Sequence, residues 1–176
     1  DADKVKSLDV ALDAKLDYPA VCNALETLLV HYKYPDSGLA NILLKMQDSG
    51  VELRVCPETK KRLESYPDLN LSVAADIDWV TEYIDLILSI KTVKSAEEAV
   101  EHISQFGSKH TEAIVTENSD LSDWFMNTVD AAGVFWNAST RFADGFRYGL
   151  GAEVVVSTGK THARGPVGLE GLVIYK

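Results

Sequence analysis

The chain has 176 residues, of which 46% are hydrophobic and 25% charged, as is typical of one globular domain with a substantial core. Its 17 Lys and Arg against 27 Asp and Glu give a net charge of -10, which argues against binding to nucleic acid or to an anionic membrane surface. The longest apolar stretch, Ile84 to Ile90, is far shorter than the ~20 residues that cross a bilayer, so no membrane span is expected. Asp1 opens the chain without an initiator Met or a secretory signal, so we expect an excised part of a longer, cytoplasmic protein.

The charge is unevenly distributed along the chain. Residues 141–176 hold five bases and three acids, whereas residues 1–140 hold 12 bases and 24 acids. A basic end on an acidic protein could hold an anionic small molecule, although spaced bases are equally consistent with a solvated surface. The five bases are Arg141, Arg147, Lys160, Arg164 and Lys176.

The first predicted element is a helix of about three turns that begins at Asn23. Apolar residues recur at helical spacing from Leu25 to Tyr32, and Asn23 with Glu26 has the form of a capping box. A second helix is predicted over Leu39–Gln47, followed by a strand in which apolar and polar residues alternate. That strand covers Val51–Val55, and the stretch Lys60–Leu71 is expected to be a polar excursion.

The rest of the chain alternates between strands and helices. A strand is predicted within Trp79–Val93, a helix between Ser95 and Gly107, a strand over Ala113–Thr116, a helix from Ser119 and a strand over Gly133–Trp136. Strands separated by helices favour an α/β fold with a mainly parallel sheet flanked by helices. Ligands of such sheets bind at loops beyond the strand ends, so the loop after Trp136 is a good candidate for a site.

Cys22 is the candidate nucleophile. At the start of the predicted helix, unpaired amides and the helix dipole would stabilise its thiolate and an oxyanion formed when it attacks an acyl carbon. A lone cysteine before a helix is more often a small buried hydrophobe, which is the alternative interpretation. Cys56 ends a predicted strand with no helix expected after it, and we interpret it as structural.

Other ligand motifs are absent or incomplete. The four His and two Cys show no metal-ligand spacing, so no metal site is predicted. Gly159-Lys160-Thr161 suggests a phosphate loop, but Val154 stands where that loop needs a glycine. No glycine pattern matches the dinucleotide-binding fingerprint.

Five segments carry a family resemblance: Pro19–His31, His110–Glu117, Val134–Gly145, Gly149–Val154 and His162–Leu172. They resemble gamma-glutamyl phosphate reductases, which belong to the aldehyde dehydrogenase superfamily. Their order along the chain is also that of the family, and together they span nearly its whole length. One departure is Val155, at a position where the family usually has a glycine, so a local rearrangement is expected there.

The resemblance implies an aldehyde dehydrogenase-like catalytic domain and an NADPH-dependent reaction in proline biosynthesis. Cys22 would attack the acyl carbon of gamma-glutamyl phosphate and expel phosphate, and reduction of the resulting thioester would release glutamate 5-semialdehyde. Two alternatives are another acylating aldehyde dehydrogenase and a catalytically silent assembly module.

The resemblance also implies binding residues. Glu82 falls where the superfamily places a glutamate that hydrogen-bonds the nicotinamide ribose. The loop Asn137–Gly145 corresponds to the substrate-anchoring loop, in which Asn137, Ser139, Thr140 and Arg141 are the candidates and Arg141 would bind a carboxylate or phosphate. His110 and Thr111 lie in a matching segment, but no role is assigned to them.

The resemblance divides the chain into three parts. Residues 1–15 would end an absent dinucleotide-binding domain, residues 16–150 would form the catalytic cysteine domain, and residues 151–176 would be a return segment. Val167–Tyr175 is expected to extend a sheet between subunits of a homodimer. Without the preceding domain, the chain is expected to bind NADPH weakly or not at all and to be inactive alone.

Overall fold

A helix that the sequence analysis did not predict opens the fold in the computed structural model, which describes residues 1–161 and 163–174. This helix, α1, spans Lys4–Leu16, and the Asp3 carboxylate caps it by accepting hydrogen bonds from two first-turn amides at 2.9 and 2.8 Å. Ala11 of α1 is buried in the same apolar cluster as Leu39 and Leu43. The domain boundary predicted at residue 15 therefore falls inside α1, which packs against residues that come later in the chain.

The prediction of a helix from Asn23 to Tyr32 is wrong. The structure has a strand there, β1 (Thr27–His31), which pairs in parallel with β4 (Ile87–Val93) over all five of its residues. Glu26, predicted to cap the helix, instead forms a salt bridge of 3.0 Å with the fully buried Lys15. Sheet hydrogen bonds and this ion pair therefore override the local helical spacing.

Four parallel strands form the main sheet, in the order β1, β4, β2, β3. β2 covers Glu52–Val55 and β3 covers Leu71–Val73. The predicted helix at Leu39–Gln47 is confirmed as α2 (Asp36–Asp48), and the predicted strands at Val51–Val55 and within Trp79–Val93 are confirmed as β2 and β4. The stretch expected to be a polar excursion contains the end of α3 (Pro57–Arg62).

Helices cover both faces of the main sheet. Ile90 of β4 is buried in the cluster that α1 and α2 share, whereas the neighbouring Lys91 places its Nζ 3.1 Å from Nδ1 of His102. His102 belongs to α4 (Ala96–Phe106), whose predicted cap is confirmed because the Ser95 hydroxyl accepts from an amide of the first turn at 3.2 Å. Successive strand residues point to opposite faces, so α4 lies across the sheet from α1 and α2.

A second, two-stranded sheet carries the loop that was predicted to bind substrate. β5 (Thr111–Ile114) and β6 (Gly133–Trp136) are parallel and connected through α5 (Ser119–Thr128), which confirms all three predicted elements. Phe125 of α5 and Val100 of α4 are buried together in a second apolar cluster. The structure thus confirms the mixed α/β class with mainly parallel strands flanked by helices.

The last described residues form an antiparallel hairpin. β7 (Val155–Ser157) pairs with β8 (Gly165–Val167), and the Asp130 carboxylate after α5 binds a lysine and an arginine of the hairpin at 2.8 and 2.7 Å. Val155 lies within β7, where extended backbone suits a β-branched residue, so the rearrangement expected there is not needed. The strand expected over Val167–Tyr175 ends at Val167, a 3-10 turn follows over Leu169–Leu172, and Tyr175 lies outside the described residues.

Candidate active site

Cys22 lies in a tight turn between α1 and β1. The turn is closed by the amide of Ala24, which donates to the carbonyl of Val21 at 2.9 Å, and the Cys22 side chain is exposed. No helix starts at this turn, so the predicted stabilisation of the thiolate by a helix dipole is wrong.

Cys56 is the cysteine that does precede a helix. It is buried, and its Sγ accepts a hydrogen bond from the amide of Thr59 in the first turn of α3 at 3.4 Å. The expectation that no helix follows Cys56 is therefore wrong. The burial and this bond agree with the structural interpretation of Cys56.

The charges around Cys22 are mixed in sign. Partial desolvation raises the pKa of the Cys22 thiol above its ordinary value, and the Glu153 and Glu82 carboxylates raise it further. The Arg141 guanidinium acts in the opposite direction. Cys22 is therefore mainly a neutral thiol at pH 7, and thiolate formation requires a base or a change in these charges.

Asn23 joins the cysteine turn to the loop after β6. Its buried side chain donates from Nδ2 to the carbonyl of Ala143 at 2.8 Å, and its Oδ1 accepts from the Arg141 guanidinium. Arg141 also donates from Nε to Asp17 at 3.1 Å. The structure thus brings Arg141 beside Cys22, and these two bonds leave three of its five guanidinium N–H donors for a ligand.

Asn137, another predicted substrate residue, is engaged with the backbone. It adopts the left-handed conformation (φ 52°), and its side-chain amide both accepts from and donates to the backbone of Thr116 at 3.0 Å. The amide thereby links the ends of β5 and β6. Asn137 therefore supports the loop that carries the other three predicted residues, Ser139, Thr140 and Arg141.

Ser139 and Thr140 are buried in the first turn of that loop. The Ser139 hydroxyl accepts from the amide of Arg141 at 3.2 Å and so fixes the backbone of the loop. Among the described residues, the Thr140 hydroxyl has no hydrogen-bond partner. Thr140 and Cys22 line the same cavity, and the Thr140 hydroxyl oxygen itself is buried.

Glu82 lies on the loop that leads into β4. Its carboxylate is exposed, and its charge acts on the pKa of both Cys22 and His110, which places it in the same site. The loop is held in place where Glu26 accepts from the amide of Ile84 at 3.4 Å, and Ile84 has a left-handed φ of 56°. A β-branched residue in that conformation indicates a constrained loop.

His110 and Thr111 form a local pair. The two side chains hydrogen-bond through Nδ1 and Oγ1 at 2.6 Å, and burial lowers the pKa of the His110 imidazole. Nε2 of His110 is buried with no partner among the described residues. The pair is neutral and lies at the start of β5.

Sequence reasoning missed three residues of this site. Asp17 and Asn23 hold Arg141, and the charge of Glu153 acts on Cys22. Desolvation raises the pKa of Glu153, as does Asp144. Glu153 was inside one of the family-like segments, but only the folded chain shows which charges surround the thiol.

Cys22, Glu82, Thr111 and Thr140 line one cavity of about 700 Å³ between the two parallel sheets. Within residues 1–161 and 163–174, no cluster of three or more His, Cys, Asp or Glu could hold a metal ion. Over the same residues, no helix has the length and apolar character to cross a membrane.

Comparison with a solved structure shows the class of fold. The fold matches a propionaldehyde dehydrogenase from Clostridium phytofermentans with a TM-score of 0.58 at 16% identity, over 81% of this chain and 39% of that one. The chain therefore has an aldehyde dehydrogenase-like α/β fold. No protein-family model matches the chain.

Two further comparisons show closer similarity, to gamma-glutamyl phosphate reductases. The chain is 52% identical over 178 aligned residues to a gamma-glutamyl phosphate reductase of Haloquadratum walsbyi, covering 100% of this chain and 39% of the relative. The gamma-glutamyl phosphate reductase of Thermotoga maritima superposes with a TM-score of 0.91 at 46% identity, over 99% of this chain and 41% of that one. The chain is homologous to a segment of gamma-glutamyl phosphate reductases that makes up about two fifths of their length.

Proposed function

We propose that the chain carries the nucleophile and the substrate-anchoring loop of an NADPH-dependent gamma-glutamyl phosphate reductase. The observation that supports this most directly is the Asn23 bridge, which holds Arg141 beside Cys22 although 118 residues separate the two partners of that bond. The reductases matched by the chain are much longer. We therefore assign turnover to the whole protein and expect none from these residues alone.

In the acylation step, the Cys22 sulfur forms a bond to the acyl carbon of gamma-glutamyl phosphate. The bond from that carbon to the phosphate oxygen breaks, and phosphate leaves with the electron pair. The thiol proton has to be removed first, and we assign this to Glu153, whose charge acts on the Cys22 thiol and whose own pKa is raised by desolvation. The product of this step is a thioester on Cys22.

In the reduction step, the thioester carbon gains two electrons and the carbon–sulfur bond breaks. A nicotinamide cofactor, when bound, supplies those electrons as a hydride. Glutamate 5-semialdehyde is released, and Cys22 keeps the sulfur electron pair as a thiolate that regains its proton. The net reaction consumes one acyl phosphate, one NADPH and one proton, and it yields one aldehyde, one phosphate and one NADP⁺.

The residues present fit the cofactor at one point. Glu82 offers an exposed carboxylate on the same side as Cys22, and a carboxylate can accept hydrogen bonds from ribose hydroxyls. We propose this role for Glu82.

Arg141 would hold an anionic group of the substrate, either its carboxylate or its phosphate. Its remaining N–H donors suit bidentate binding of such a group, and the neighbouring Asp17 keeps the guanidinium oriented. We further propose that the whole reductase is a cytoplasmic homodimer, in which the exposed Leu169, Val173 and Ile174 contact the second subunit.

The experiment is NADPH oxidation by the full-length reductase with gamma-glutamyl phosphate generated in the assay. Cys22→Ala should abolish the rate, and the matched control Cys56→Ala should keep most of it. Arg141→Lys should raise KM more than it lowers kcat, because a point charge replaces a bidentate fork. Faster reduction of acetyl phosphate or an acyl thioester than of gamma-glutamyl phosphate would instead indicate another acylating aldehyde dehydrogenase.

A further inference from the structure

Glu82, the residue proposed to bind the cofactor ribose, lies in the short segment 81–86 that leads into β4. Its own side chain is exposed, but the two residues after it are each held by hydrogen bonds to other parts of the fold. We propose that Tyr83 and Glu26 are positioning residues, which fix the Glu82 carboxylate for the cofactor. This inference rests on the role proposed for Glu82 above.

The Tyr83 hydroxyl bonds to two buried side chains. It lies 2.9 Å from Oδ1 of Asp78 and 2.7 Å from Oγ of Ser89, which are 5% and 0% exposed. A carboxylate only accepts hydrogen bonds, so the hydroxyl donates to Asp78 and accepts from Ser89. With both partners in place, the Tyr83 ring is held in one orientation, and this fixes the backbone next to Glu82.

The partners of Tyr83 are themselves fixed to the main sheet. Ser89 of β4 lies directly opposite Arg54 of β2, and Nη1 of Arg54 donates to Asp78 at 2.7 Å. The same guanidinium is 5.1 Å from the centroid of the Tyr83 ring, a cation–π distance. Burial alone would raise the pKa of Asp78, but its hydrogen bonds, that from Arg54 first among them, lower it below the ordinary value. Asp78 therefore stays ionised at neutral pH and remains an acceptor for Tyr83.

The second anchor holds residue 84. One oxygen of the Glu26 carboxylate accepts from the amide of Ile84 at 3.4 Å, and the other accepts from the buried Lys15 at 3.0 Å. A β-branched residue such as Ile84 adopts a left-handed φ of 56° only where its surroundings impose it. The Ile84 side chain is 59% exposed, so side-chain packing does not impose this conformation. We assign that effect to the bond between its amide and Glu26.

The two anchors set the direction of the Glu82 side chain. Thr81 has extended backbone angles (φ -83°, ψ 124°), and successive side chains of extended backbone point to opposite sides. With Tyr83 held inward, Glu82 therefore points outward, which agrees with its exposure. A carboxylate held in this way is ordered before the cofactor binds.

Glu26 also relates the Glu82 segment to the nucleophile. It follows Cys22 closely in the chain, and its backbone carbonyl accepts from the amide of Ser89 at 3.0 Å, next to the start of β1. The charge of Glu82 acts on the pKa of both Cys22 and Glu26, which agrees with their proximity. One side chain thus connects the segment that bears the nucleophile with the segment that bears the proposed ribose-binding carboxylate.

The test is the binding of NADPH to the full-length reductase without acyl phosphate, followed by the fluorescence of the cofactor. Glu82→Ala should raise the Kd about tenfold or more, because hydrogen bonds to a charged group are lost. Tyr83→Phe removes only the hydroxyl and should raise the Kd about fivefold, because the segment must then be ordered on binding. In the Glu82→Ala background, Tyr83→Phe should change the Kd less than about twofold, because the group that it positions is absent.

Glu26 is tested with two double variants that leave no buried charge. Lys15→Met/Glu26→Gln keeps an oxygen for the amide of Ile84 and should bind NADPH with nearly the original Kd. Lys15→Met/Glu26→Leu lacks that acceptor and should raise the Kd about fivefold. The affinity for 2′,5′-ADP, which lacks the nicotinamide ribose, is the control for an intact cofactor domain and should be the same in every variant.

Tyr83→Phe would overturn the proposal if it left the Kd for NADPH unchanged, or raised it equally with and without Glu82. Equal Kd values for the two Glu26 double variants, or a parallel loss of affinity for 2′,5′-ADP, would also overturn it. These results would leave the role of Glu82 intact. An unchanged Kd in Glu82→Ala would instead overturn both that role and this inference, and the assignment of Cys22 would stand in every case, because no turnover is measured.

Discussion

The buried ion pair between Lys15 and Glu26 gives the sharpest stability prediction. The Lys15 side chain is 0% exposed and that of Glu26 is 20% exposed, and their 3.0 Å bridge ties α1 to the start of β1. At an effective dielectric constant near 20, the Coulomb attraction at this distance is about 5.5 kcal/mol, and it offsets the cost of desolvating both groups. Removing one partner leaves the other charge buried alone.

We therefore expect Lys15→Met to lower the free energy of unfolding by about 3 kcal/mol, and Glu26→Gln to lower it by a similar amount. The double variant, which leaves no buried charge, should lose about 1 kcal/mol or less. Urea unfolding followed by circular dichroism measures all three, because the midpoint shifts at constant slope. Lys6→Met is the matched control: its bridge to Glu117 is exposed, and no measurable change is expected.

Additive losses of unfolding free energy in the double variant would contradict this prediction. Additivity would mean that the two side chains stabilise the fold independently and not as a pair. A loss in Lys6→Met as large as that in Lys15→Met would also contradict it, because burial would then not decide the effect.

Three further predictions concern titratable groups. Iodoacetamide should modify the exposed Cys22 well before the buried Cys56. The rate at Cys22 should rise at a pH above the ordinary thiol pKa, as peptide mapping across pH can show. Arg141→Gln should slow modification of Cys22 by anionic iodoacetate more than by neutral iodoacetamide. Glu153→Gln should have the opposite effect and speed modification by iodoacetate relative to iodoacetamide. An unchanged ratio of the two rates in both variants would mean that neither charge acts on Cys22. Burial raises the pKa of Glu112 to about 7, so the folded state binds more protons than the unfolded state between pH 4.5 and 7. The free energy of unfolding should therefore fall as pH rises through this window. Glu112→Gln should flatten that pH dependence in urea titrations.

The sequence predicted the helices and strands with strong periodicity or clear caps. α4 is an example, since Ser95 caps it and Gly107 ends it as expected. β1 was mistaken for a helix because its apolar spacing fits both structures, and only pairing with β4 decides between them.

The site was predicted in part. Cys22 was identified from its position before a predicted helix and from the family resemblance, and Arg141 from the resemblance; the structure brings the two together. The activation of Cys22 was predicted wrongly, because it depended on a helix that does not form. The contributions of Asp17 and Glu153 come from long-range contacts that no local pattern encodes.

Mass spectrometry of the full-length reductase can identify the residue that gamma-glutamyl phosphate acylates, which we propose is Cys22. The protein is mixed with gamma-glutamyl phosphate in the absence of NADPH, quenched in acid and digested. We expect a glutamyl adduct on the peptide that contains Cys22, with none in Cys22→Ala and an unchanged adduct in Cys56→Ala. An adduct on another residue, or one that persists in Cys22→Ala, would contradict it.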